Sequence, residues 1–83
     1  DVEELVRSDY FVLRRHQKSK PFSIVHDNRF HILMILQGNA ELICDNQRKN
    51  AHIGSTILMP ADASDVQIIP EGEIILLETF LPD

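Results

Sequence analysis

The sequence predicts an all-β domain. Three observations carry the prediction. Short runs rich in β-branched and aromatic residues recur along the 83 residues. Turn signals separate them roughly every 8 to 12 residues, the spacing of a sandwich or barrel. Long helical patterns are absent, and only Val2 to Arg7 is expected to form a helical turn or a frayed end.

Each element follows from local composition. Tyr10 to Arg15 is rich in β-formers, and Lys18 to Pro21 reads as a loop. Phe22 to Val25 is a short strand, with a turn at Asp27-Asn28. Phe30 to Gln37 is the strongest strand, and Gly38-Asn39 signals a turn after it. Ala40 to Cys44 returns, and Asp45 to Arg48 turns again. Ala51 to Ile53 is brief, broken by Gly54 and Ser55, and Thr56 to Met59 ends at Pro60. Asp65 to Ile69, a tight turn at Pro70-Glu71-Gly72, and Glu73 to Phe80 complete about eight short strands.

Two strands are apolar on both faces. In FHILMILQ, Phe30, Ile32, Met34 and Leu36 share one face, and His31, Leu33, Ile35 and Gln37 the other. EIILLETF behaves alike through Ile74, Ile75, Leu76 and Leu77. A sheet with one wet face alternates apolar with polar. These strands do not, so an interface is expected on the Ile32/Met34 face, where each uncovered side chain forgoes about 1.5–3 kcal/mol.

Composition excludes several classes. The hydrophobic fraction is 43% and the charged fraction 25%, values of a folded domain. A chain this short buries only roughly 60–65% of its unfolded surface, so a partner surface would help it. The net charge is −5, without the basic stripe of a nucleic-acid binder. Arg14, Arg15, Lys18 and Lys20 form a small basic cluster, read as a solvated strand edge with a phosphate contact as the minor alternative. The single cysteine, Cys44, reads as a small core hydrophobe and fits a reducing, cytoplasmic setting. No apolar run is long enough for a membrane span. The chain begins at Asp1 and is expected to be a piece of a longer protein, with residues 1–83 one domain.

The run GSTILMPAD, Gly54 to Asp62, resembles the second motif of the cupin superfamily, in which five residues separate a Gly from a Pro, here Gly54 and Pro60. The turn at Gly38 resembles the close of the first cupin motif. This implies a double-stranded β-helix, or jelly roll. SDYFVLRRHQKSKPF, RFHILMILQGNAEL and GSTILMPAD together resemble the C-terminal cupin domain of class I mannose-6-phosphate isomerases, from about Ser8 to Phe80.

The resemblance also implies where a metal would sit. Its four ligand positions fall on Ile24, His26, His31 and Asp65. One is lost outright; His26, His31 and Asp65 remain as a two-histidine, one-carboxylate set of the kind that holds iron(II) or zinc. The competing expectation is a neutral His31, hydrogen-bonded in the barrel with Asp65 as partner and no metal. His16 is expected to be exposed at a strand end, and His52 to lie on an edge segment. In the family the zinc and the catalytic groups of mannose 6-phosphate to fructose 6-phosphate interconversion lie in an N-terminal domain. That domain would precede Asp1. The resemblance therefore implies a structural domain, inactive alone, that packs on its own catalytic domain or on a twin and helps to shape a sugar-phosphate cleft. The alternatives are a stand-alone sugar- or acid-binding module, and a small metal-dependent enzyme using His26, His31 and Asp65.

Overall fold

The computed structural model describes residues 2–25, 27–62 and 64–81. It contains seven strands: β1 (Val2–Arg7), β2 (Val12–Lys18), β3 (Phe22–Ile24), β4 (His31–Cys44), β5 (Gln47–Ala51), β6 (Thr56–Met59) and β7 (Val66–Phe80). Every pairing is antiparallel, in the order β1-β2-β7-β4-β5, with β3 added on β7 and β6 on β4.

The long strands β4 and β7 build the fold. The first part of β4 pairs with the end of β7, from His31 opposite Phe80 to Gln37 opposite Ile75. Its second part pairs with the start of β7, from Asn39 opposite Glu71 to Ile43 opposite Gln67. Both strands bend between these halves. Side chains from both halves, such as Leu33, Ile35 and Leu76 on one side and Leu42 and Ile68 on the other, then meet in one core. The result is an all-β jelly-roll barrel.

Gly38 makes the bend. The register shifts on both sides of Gln37, and Gly38 takes φ +87°. A Cβ there would lie 2.5 Å from the backbone oxygen of Glu73 and 2.9 Å from Ile74 Cγ2. Only glycine meets both demands. Across the ladder, Pro70 and Gly72 sit at the matching bend of β7, where Gly72 has φ +75°. The β4–β5 hairpin turns through Asp45 and Asn46 at φ 52° and 66°, the left-handed pair that a tight two-residue turn needs.

Three expectations are corrected. Val2–Arg7 is an edge strand paired with β2, not a helical turn. Gly38-Asn39 and Pro70-Glu71-Gly72 bend continuous strands and do not end them, so two pairs of expected strands merge. The expected strand at Ala51 to Ile53 lies earlier, because the turn is over by Asn46 and β5 starts at Gln47.

The alternation along β4 and β7 settles their faces. His31, Leu33 and Ile35 point inward, as do Ile74, Leu76, Glu78 and Phe80. The opposite face of β4 exposes Met34 and Leu36, Phe30 is exposed just before the strand, and Leu58 of β6, opposite Ile32, is 60% exposed.

Candidate functional site

Three polar side chains are buried among the described residues: His16, His31 and Glu78. Strand periodicity puts each on the inner face. His16 follows Val12 by two strand periods on β2, and Glu78 stands between Leu76 and Phe80 on β7. The ladders bring the three strands side by side, with His31 opposite Phe80 and Arg14 opposite Glu78.

The three side chains are joined through Glu78. His16 Nε2 lies 2.8 Å from Glu78 Oε1, and His31 Nδ1 lies 2.8 Å from Glu78 Oε2. His31 Nε2 lies 2.7 Å from Asp27 Oδ1, in the loop after β3. Asp27 Oδ1 also accepts the backbone N–H of Arg29 at 3.1 Å. The sequence Asp27–His31–Glu78–His16 is thus a continuous hydrogen-bonded chain from the surface to the interior.

Burial pushes the Glu78 carboxyl up, but the hydrogen bonds and charges of His16 and His31 outweigh it and hold the pKa below its ordinary value. Desolvation likewise pushes Asp27 up, and the His31 hydrogen bond and charge, the Arg29 backbone N–H and the Arg29 charge reverse the direction. Both carboxylates are therefore ionised at neutral pH. Each carboxylate brings an acceptor oxygen to one ring nitrogen of His31, so both nitrogens are engaged. His16 needs one N–H, on Nε2. Its Nδ1 is buried without a hydrogen-bond partner.

The rings are wedged in place. His16 stacks on Phe22 at 5.8 Å and 17° between planes. His31 tilts against Phe80 with centroids 4.8 Å apart. A cavity of about 300 Å³ opens over the chain, lined by Arg14, His16, Ser23, Ile24, Val25, Asp27, His31 and Glu78.

Of the four positions named as metal ligands, the described residues place His31 in the hydrogen-bonded chain, while Ile24 packs in the hydrophobic core and forms part of the cavity wall. His26 lies outside the described residues. Asp65 is exposed just before β7, and its charge acts on the Cys44 thiol. The expected His31–Asp65 pair is replaced by Glu78 and Asp27, which take both ring nitrogens. His16, expected to be exposed, is buried because the alternation of β2 turns it inward with Val12. His52 is exposed, and Cys44 packs half-buried against the core as expected. Glu78 and Asp27 were missed. A signal for Glu78 existed: a carboxylate every second residue from Ile74 and Leu76 shares their buried face and needs a cationic partner.

Metal ligands must converge on one point at about 2.0–2.2 Å, whereas His16 Nε2, both His31 ring nitrogens and the Glu78 oxygens each face one another or Asp27 across a hydrogen bond. Among the described residues no group of three or more His, Cys, Asp or Glu is arranged to hold an ion. The leftover His16 Nδ1 is a single donor. No helix of the described residues is long and apolar enough to cross a membrane.

Comparison with known proteins agrees with the fold. Residues 1–79 match the family described as mannose-6-phosphate isomerase, cupin domain. A cupin superfamily protein from Desulfitobacterium hafniense superposes with a TM-score of 0.83 at 21% identity, over 99% of this chain and 76% of that one. The Clostridium difficile EutQ protein gives 0.81 at 19%, over 98% and 66%. The cupin domain of Schizosaccharomyces pombe Cnp3 gives 0.83 at 15%, over 99% and 60%. A search of curated proteins gave no match.

Proposed function

We propose that this chain, which belongs to the mannose-6-phosphate isomerase cupin domain family, is a non-catalytic module that docks through its apolar outer face. The parent reaction would be mannose 6-phosphate to fructose 6-phosphate interconversion, carried out in the cytoplasm by a zinc-bearing domain N-terminal to this one. The body docked would be that domain. A twin copy is the other outcome of the test.

One observation carries the reading. Met34 and Leu36 of β4, Phe30 just before it and Leu58 of β6 are each 40% or more exposed, and the strand residues stand on one face of adjacent strands. Ile75 and Leu77 of β7 continue that face, half-buried. Full burial of one such side chain is worth roughly 1.5–3 kcal/mol, so covering the group would stabilise a small domain substantially. The inner face supports the same reading, because His16, His31, Asp27 and Glu78 pair with one another.

Two variants test it. Met34→Glu and Leu36→Lys put charge at the centre of the face without touching the core. Analytical ultracentrifugation of the chain, alone and mixed with the segment encoded upstream, should show association that both variants abolish while the circular dichroism spectrum is kept. Association unaffected by either variant, or none with itself or the upstream segment, would remove the docking reading.

A further inference from the structure

We propose that the cavity above the His31–Glu78 chain is an oxyanion site, with Arg14 as its fork, for a small ligand ending in a carboxylate or a phosphate group. The proposal does not rest on the docking reading, since the cavity opens between β2 and β3 and the apolar face lies on the other side of the sheet.

Arg14 stands between the buried Val12 and His16 on the inner face of β2 and lines the cavity. Its guanidinium carbon lies over the Phe80 ring, 4.7 Å from the centroid, which seats the fork against that ring. Glu4, opposite it on β1, is instead bonded to Arg7 at 2.7 Å. Among the described residues no side-chain hydrogen bond or ion pair engages the Arg14 guanidinium. A half-buried, oriented guanidinium with unused donors matches the geometry of a planar carboxylate or a phosphate face.

Ser23, exposed on β3, lines the same cavity and adds a hydroxyl to its rim. Both carboxylates at the site, Asp27 and Glu78, are already held by His31, and Glu78 also by His16. The Arg29 guanidinium carbon lies 5.5 Å from the centroid of the same Phe80 ring. About 300 Å³ holds a ligand of a few carbon atoms, with Ile24 and Val25 as apolar wall.

The test is an NMR titration of the chain with inorganic phosphate and, separately, with succinate, at ionic strength held constant with sodium chloride. Saturable shifts are expected at the amides of Ser23, Ile24 and Val25 and at the Arg14 side-chain Nε–H. Saturation by phosphate alone assigns a phosphoryl ligand, and by succinate alone a carboxylate. Arg14→Gln should weaken binding by about tenfold or more, the scale of a charge-assisted bidentate pair. Arg15→Gln, on the opposite face of the same strand, should leave it unchanged. Two results would overturn the proposal: no saturable shift with either anion in the unsubstituted chain, or equal affinity in the Arg14→Gln and Arg15→Gln chains.

Discussion

Glu78 Oε2 lies 2.8 Å from His31 Nδ1, and both side chains are about 97% sealed from solvent. A carboxylate in that position is stable only while its partners stay. Removing one member of a buried pair costs about 3–5 kcal/mol, because the other charge is left behind. His31→Ala is therefore expected to lower unfolding free energy by about 3 kcal/mol or more in urea titrations. His52→Ala, at an exposed edge, should stay within about 0.5 kcal/mol of the unsubstituted chain.

The same pair sets the acid limb of stability. Glu78 and Asp27 have folded-state pKa values below their ordinary ones, 4.5 and 3.8. A depressed carboxylate contributes stability that is fully present above the unfolded value and is lost as pH falls through the folded one. Thermal midpoints should hold from neutral pH down to about 5 and drop below about 4.5. Glu78→Gln should be less stable at pH 7 and show a flatter acid limb.

Gly38 and Gly72 separate two kinds of glycine. Both have positive φ, but only a Cβ at Gly38 collides with backbone, at 2.5 Å from the Glu73 oxygen. Gly72→Ala should cost the conformational term alone, about 1–2 kcal/mol. Gly38→Ala should cost more than that, since the β4 bend must open. Thermal denaturation of the two variants side by side checks the order.

Cys44 should alkylate slowly. Burial pushes its thiol above the ordinary 9.0, and the charge and hydrogen bond of Asp45 and the charge of Asp65 push the same way. The thiolate is the reacting form. Asp45→Asn keeps the residue type that tolerates the left-handed turn and removes the nearer charge. It should raise the iodoacetamide rate at pH 8 by a few fold, and an unchanged rate would count against the assignment.

The fold was legible because alternation and turn residues are local. Thr56 to Met59 reads correctly from four residues and a following proline. The bends at Gly38 and Gly72 were not legible as bends, because glycine gives the same signal in a turn and in a bulge. Only the ladder across β4 and β7 distinguishes them. The site was half legible. His31 stands out as an imidazole in an apolar run. Its partners come from residues 4 and 47 positions away, and the second separation is set by the antiparallel register of β4 and β7. Asp65 was placed beside His31 by motif spacing, and the structure puts it beside Cys44 instead.

The most direct measurement is zinc binding followed by the imidazole ¹⁵N shifts of His16 and His31. If the inner histidines and carboxylates form a closed hydrogen-bonded chain, the chain dialysed against zinc retains no stoichiometric metal and both imidazole spectra stay unchanged. One equivalent of bound zinc that moves the His31 and His16 resonances, and is lost in Glu78→Gln, would contradict it.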